Sequence, residues 1–378
     1  MKKLLLLTLL GVLFSCRTAL TAETQVVTKQ VPFEGNHTKA TTDDQGTVHL
    51  IFNKSGNVYY SRKPVAESDF SEPIQVNSVD GCAAVAELAL GVDGRVHVLY
   101  HGNIFYIRER IKEENRKVSA SDIKYTFYSR LNDAGDAFEE QVDVSGPVWG
   151  FDGGCSIASD KTGHVYLFFA GTTKKGNETV RQVFMRRSTN DGQSFAEAAP
   201  IDLGKGVCAC CHLKAQVNTK GELMIAYRVA EESVNRDSYV LTSTDQGDTF
   251  RETPLDHWEL RACPGSIYSF ADSESSTFVS LRSKDEIYLK IEGKDGMFSP
   301  PDRKLKRRAA VMASNKKGEV LITWGEGENF NKPHDLKWQL YDKSGQTIGR
   351  VGMAKDAFAR WGNAAIYAEP NGDFVVLY

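Results

Sequence analysis

Residues 160–169 read D-K-T-G-H-V-Y-L-F-F, a polar turn carrying a glycine and then an unbroken β-branched and aromatic run. The unit recurs as D-D-Q-G-T-V-H-L-I-F (43–52), G-V-D-G-R-V-H-V-L-Y (91–100) and N-T-K-G-E-L-M-I-A-Y (218–227). It returns as N-K-K-G-E-V-L-I-T-W (315–324) and E-P-N-G-D-F-V-V-L-Y (369–378). A version without the glycine, S-E-S-S-T-F-V-S-L (273–281), fills the one gap in the series. With Ser275 standing in, the turn positions follow one another at about 43 to 69 residues, the period of propeller blades. Helical periodicity is nearly absent, and short strands bounded by turn residues mark an all-β array.

Each unit supplies the two inner strands of a four-stranded blade. Inner strands begin near His37, Cys82, Cys155, Cys211, Cys263 and Arg308, and a seventh unit reaches Tyr378. The stretch T-Q-V-V-T-K-Q-V-P-F (24–33) is a strand without a blade of its own. As the outer strand of the seventh blade it would close the ring and remove a free sheet edge. The sequence therefore predicts an all-β fold: a β-propeller of four-stranded blades, seven favoured over six, forming a single domain over residues 24–378.

The first segment reads as a targeting signal over residues 1–16. Lys2 and Lys3 precede the apolar run Leu4 to Phe14, which falls short of the about 20 residues a membrane helix needs and fits a secretory leader. Leu13-Phe14-Ser15-Cys16 resembles the bacterial lipobox, which implies lipidation of Cys16 and a short linker over 17–23; cleavage near Ala22 is the alternative. Either route exports the chain to the cell envelope or beyond it, with a lipid anchor as the expected membrane attachment. The net charge of −3, with signs interspersed, gives no electrostatic case for nucleic acid.

In such a blade, the loops between blades and those between the second and third strands gather at one mouth of the central channel. Cys82, Cys155, Cys208, Cys210, Cys211, His212 and Cys263 all fall at that end, as do His37, His101, Arg228, Arg282 and the pair Arg307-Arg308. Three readings of the cysteines stand open. They tie the loops together as disulfides, including a vicinal Cys210–Cys211 bond; they hold Cu or Zn with nearby histidines; or one is a reactive thiol. Arg228 and Arg282 end equivalent strands of adjacent blades, so both guanidinium groups could fork onto one ligand carboxylate or sulfate. Arg261 joins that ligand-binding set, and Trp149, Trp258 and Trp361 offer flat platforms for sugar rings.

A second motif lies downstream within several units. S-T-D-Q-G-D-T-F (243–250) resembles the Asp-box, S-x-D-x-G-x-[ST]-[WF], at every position. S-T-N-D-G-Q-S-F (188–195) has Asn190 in the Asp place, and L-N-D-A-G-D-A-F (131–138) keeps Asp133, Gly135 and Phe138. Asp133, Asn190 and Asp245 are read as structural, each accepting backbone N–H bonds in a tight turn. Together the repeats and boxes resemble the sialidase/neuraminidase (BNR-repeat) superfamily over most of residues 38–378. C-A-C-C-H-L (208–213), R-D-S-Y (236–239) and W-E-L-R-A-C-P (258–264) look like an exported bacterial subgroup of it.

The resemblance implies a sialidase-like propeller acting on or binding extracellular glycans. Its catalytic pattern would place a tyrosine nucleophile at Tyr268 or Tyr367 and an acid at Asp43 or Asp152. The family's first arginine, in an F/Y-R-I-P motif, has no counterpart in Val31-Pro32-Phe33-Glu34-Gly35-Asn36-His37, which counts against sialic acid hydrolysis. The expected partner is thus a glycan or small anionic ligand at the channel mouth. A Cu, Zn or redox scaffold on the cysteines is the first alternative, and a non-enzymatic protein-docking propeller the second.

Overall fold

The computed structural model describes residues 23–378 except 116–124, 149–153, 175, 177, 202, 209, 233, 274 and 361. Seven sheets are arranged as blades in chain order. Blade one spans residues 36–75, blade two 83–143, blade three 155–201 and blade four 214–256. Blade five spans 269–291, blade six 306–358, and blade seven combines Ala365–Ala368, Phe374–Leu377 and Val26–Lys29. Five sheets have four strands; blades five and seven have three among the described residues, with a single bridge, Leu289 to Phe298, at the fourth position of blade five.

The apolar runs of the repeat are the second strands, and their burial explains their composition. Val165–Gly171 is buried at every residue, because each face of a blade is covered by the next blade. Such strands read as continuous apolar runs rather than alternating ones. Alternation survives as a choice of neighbour: Leu223, Ile225 and Tyr227 pack toward blade three, while Met224 and Ala226 pack toward blade five. Among the described residues seven apolar clusters each join two consecutive blades, the last of them joining blade seven to blade one. Every buried Leu, Ile, Val or Phe in them contributes roughly 1.5–3 kcal/mol.

The first turn of each unit is set by local chemistry. Asp43 Oδ1 accepts from the amides of Gln45 and Thr47, at 2.9 and 2.8 Å, and Gly46 takes a φ of 88° that a side chain would disfavour. Asp160, Asn218 and Asn315 repeat the arrangement. Among the described residues one α-helix, Ile104–Glu113, interrupts the β pattern inside blade two. Asn103 caps it by accepting from Phe105 N at 2.8 Å, and Ile107 and Ile111 face inward. The cap and the Ile104, Ile107, Ile111 spacing were available in the sequence as a helix signal.

The ring is joined by Val26–Lys29, which lies parallel to Phe374–Leu377 with Val26 opposite Phe374 and Lys29 opposite Leu377. Phe374 N donates to Gln25 O at 2.9 Å and Tyr378 N to Lys29 O at 3.1 Å. In a parallel ladder the same pattern commits the Val27 amide to the partner strand. Val27→Pro removes that donor inside the pairing. A loss of about 2 kcal/mol in urea unfolding is expected; unchanged stability would show that this strand does not hold the ring.

Candidate functional site

All seven inner strands face one axial channel of about 950 Å3. Its two ends differ in charge. Asp43, Asp44, Asp93 and Asp272, with Lys161, line the end bearing the first turns of the units. His37, His212, Tyr268, Arg282 and Arg308 line the opposite mouth, where the connections between blades meet.

Below that basic mouth Glu87 is clamped between two lysines. It is in contact with Lys39, and Lys214 Nζ donates to it at 2.9 Å. Burial pushes the Glu87 carboxyl up, but the Lys214 and Lys39 ammonium groups override it and hold it at about 2. Lys39 is itself pulled down, chiefly by burial, with the charge of Lys214 adding to the effect. His37 is pulled down by burial and by Lys39, so the imidazole is neutral near pH 7.

Arg282 and Arg308 approach one another at the rim. Arg282 Nη1 donates to Pro264 O at 2.6 Å, and its Nη2 pairs with Asp285. Arg308 lies over the Phe330 ring at 4.9 Å, and burial followed by the Arg282 charge pulls it down to about 10. A guanidinium disfavoured in this way by burial and a neighbouring positive charge marks a place where an anion is stabilising. Lys39, Glu87, Lys214 and Arg308 were absent from the expected ligand set. Glu87 carried a usable signal as the lone charge in the apolar inner strand A-A-V-A-E-L-A-L (83–90).

Several expected site residues take other roles. Arg228 is buried, stacks on Trp258 at 5.0 Å and donates to Arg282 O at 2.7 Å, so it braces the wall and does not face a ligand. Trp258 is buried beneath it, and its backbone amide donates to Asp237 Oδ1 at 2.8 Å. Arg261 is exposed and off the channel wall. His101 sits in a side pocket of about 380 Å3 beside Phe105 and Cys155, with Nδ1 3.3 Å from Thr126 Oγ1. Tyr367 is buried between blades seven and one beneath Lys63. Tyr268 does reach the channel, but its hydroxyl donates to Ser238 Oγ at 2.9 Å. Trp149, Asp152, Trp361 and Cys16 lie outside the described residues.

The cysteines divide into three places. Cys82 is buried between blades one and two and Cys155 between blades two and three, because side chains of an inner strand turn toward the flanking blades as well as the axis. Cys210 and Cys263 form a disulfide joining the connections that enter blades four and five, and Cys208 and Cys211 lie beside it with their sulfurs 3.2 Å apart. The vicinal Cys210–Cys211 bond is thus not formed. Cys208, Cys210 and Cys211 are close enough to share a soft metal, yet Cys210 is committed to the bridge and Arg236 and Arg228 set positive charge beside the other two sulfurs. This donor set fits a dithiol better than a Cu or Zn cage, and His212 is on the channel wall instead.

The boxes are structural, with one shift of register. Asp245 accepts from Thr249 N at 2.9 Å and its hydroxyl at 2.6 Å, and Asn190 accepts from Ser194 N at 3.0 Å. In the 131–138 turn Asn132 takes that part, accepting from Asp136 N at 3.2 Å, and Asp133 pairs with Arg95. Leu131 lacks the hydroxyl that Ser188 and Ser243 supply to the turn.

Two measurements check the clamp and the staple. Because Glu87 sits below its ordinary 4.5, its stabilisation is present above that value and is lost as pH falls toward about 2. E87Q leaves Lys39 and Lys214 uncompensated and is expected to cost about 3 kcal/mol at pH 7 in urea unfolding. That difference from the natural chain should shrink near pH 3; a constant difference would contradict the clamp. The Cys210–Cys263 bridge spans 53 residues, so its loss in C263S is expected to cost up to about 4 kcal/mol. An unaltered urea midpoint would deny it that role.

No protein-family model matches the chain, and no curated protein matches it in sequence. Solved structures of the same shape do exist. A Hadza microbial sialidase is 13% identical with a TM-score of 0.52, covering 87% of this chain and 75% of that one. A Dyadobacter fermentans protein of unknown function is 12% identical with a TM-score of 0.53, covering 81% and 94%. Trypanosoma rangeli sialidase in complex with the inhibitor DANA is 10% identical with a TM-score of 0.50, covering 79% of this chain and 52% of that one. At such identities the likeness is one of fold: the chain is a seven-bladed, sialidase-like β-propeller.

Proposed function

We propose that this protein is an exported propeller that binds acidic glycans at the basic mouth of its channel. The observation that carries the reading is the approach of Arg282 and Arg308 on one rim, above Lys39 and Lys214. Glu87 is the one carboxylate on the channel wall at that end among the described residues, and the two lysines already neutralise it; at the rim Asp285 pairs with Arg282, which leaves Arg308 as the principal anion-facing charge. A carboxylate or sulfate entering there meets the Arg308 guanidinium, with the charge of Arg282 beside it, in a partly desolvated setting where charge-assisted bonds are strongest. The fold adds support, since Trypanosoma rangeli sialidase, a neighbour of the same shape, is recorded in complex with sialic acid.

The binding reading is preferred to hydrolysis. Tyr268, the tyrosine on the channel wall, gives its hydroxyl to Ser238, and burial pushes its ionisation far up. Neither condition makes a nucleophile. The leader-like segment and lipobox-like Cys16 support the cell envelope as the place of action, and on this reading C16S should convert a membrane-bound pool into a soluble one.

The purified protein on a panel of matched acidic and neutral glycans tests the reading. Retention of the acidic members is expected, weakening as salt rises, with no sugar released. R308A should lower the affinity at least ten-fold, about 1.4 kcal/mol. Equal binding of neutral members, or an R308A variant as good as the natural chain, would overturn it.

A further inference from the structure

Four sulfurs lie together on the connections that enter blades four and five. Cys210 and Cys263 are bridged, with Cα atoms 6.3 Å apart. The Cys208 sulfur lies 3.6 Å from that of Cys210 and 3.2 Å from that of Cys211. Cys208 and Cys211 are fully buried and packed on Ala230, whereas Cys263 is exposed and Cys210 half-buried. Within C-A-C-C (208–211), Cys208 and Cys211 stand in a C-x-x-C relation, and half of the bridge sits between them.

We propose that these cysteines form a thiol–disulfide relay, in which the buried Cys208/Cys211 dithiol reduces the outward-facing Cys210–Cys263 bridge. Cys208 thiolate attacks the Cys210 sulfur; the Cys208–Cys210 bond forms as the Cys210–Cys263 bond breaks, and Cys263 leaves as a thiolate. The Cys211 sulfur then attacks Cys208, forming Cys208–Cys211 and releasing Cys210. Two electrons pass from the buried pair to the outer pair, and the two thiol protons end on Cys210 and Cys263. No outside oxidant or reductant is needed, because the bridge only moves. Cys263, now a surface thiolate, becomes the sulfur that meets external substrates, which would be small disulfides or the disulfides of other chains.

The surroundings assign the two buried sulfurs different parts. The Cys208 thiol is drawn down to about 7, first by its hydrogen bond with Cys211, against burial, and further by the Cys210 amide and the Arg236 guanidinium, with Glu178 opposing. Burial and the same bond push Cys211 up. A low-lying thiolate is the attacking group in such exchanges, and a high one suits the resolving step. A merely structural pair of buried thiols would need neither the asymmetry nor the contact with a bridged sulfur.

The full chain, brought to one bridge and two thiols among these sulfurs by a limiting phosphine, is incubated with N-ethylmaleimide and no further reductant. Labelled sites and remaining bridges are then mapped by peptide mass spectrometry. The relay predicts label on Cys210 and Cys263 together with a Cys208–Cys211 bridge. C208A should slow the labelling of Cys263 at least ten-fold, and C211A should accumulate the Cys208–Cys210 bridge. The proposal fails if Cys263 stays bridged while Cys208 and Cys211 take the label. It fails equally if a folded C208A releases Cys263 as fast as the natural chain. C211A keeps the test open should C208A not fold.

Discussion

The pairing of Val26–Lys29 with Phe374–Leu377 is the constraint on which the remaining structure rests. Every blade buries its faces on its two neighbours, so no blade is complete without the next. An open ring would leave the faces of blades one and seven exposed and a sheet edge unpaired. With the ends joined, seven inner strands are forced into a single circle, and their polar residues have one shared space to enter. That is how Lys39 of blade one, Glu87 of blade two and Lys214 of blade four come to meet across the axis. None of these residues is near another in sequence.

Charge then separates along the channel because two kinds of loop occupy its ends. The tight first turns favour Asp or Asn as acceptors of backbone amides, which places Asp43 at that end, and Asp44, Asp93 and Asp272 add to its acidity. The connections between blades carry no such requirement, and basic residues collect there. Loop length decides which of them remain accessible. Arg282 lies just before a two-residue turn, Lys284 and Asp285, both with positive φ, and its side chain stays partly exposed while pairing with Asp285. Arg228 is followed by the longer stretch 229–237, whose Arg236 carbonyl accepts from Arg228 itself. The fully buried arginine became part of the wall and the partly exposed one part of the mouth.

The same contrast marks the boundary of what the sequence made legible. Turn glycines and apolar runs are local signals, so the all-β class, the seven blades and the strand Val26–Lys29 could be read before any coordinates. The residue set at the mouth was only partly legible. Arg228 and Arg282 end equivalent strands and look alike in sequence, and only the packing of the following loop tells them apart. Cys82 and Cys155 occupy inner strands as expected, yet turn into the cores between blades, because a strand's side chains alternate and sequence does not say which phase faces the axis. Asp133 failed for a smaller reason: a missing serine at position 131 let Asn132 take over the turn. Glu87 and its lysines, which hold the channel together electrostatically, could be suspected only from a lone charge in an apolar strand.

Hydrogen–deuterium exchange of the full chain, with and without a sulfated or carboxylated oligosaccharide, tests the central claim most directly. If the mouth bearing Arg282 and Arg308 takes the anion, added ligand should slow exchange in residues 262–268, 282–285 and 306–310. Slowing confined to the acidic end, at residues 43–47 and 91–95, or no slowing at saturating ligand, would contradict the account.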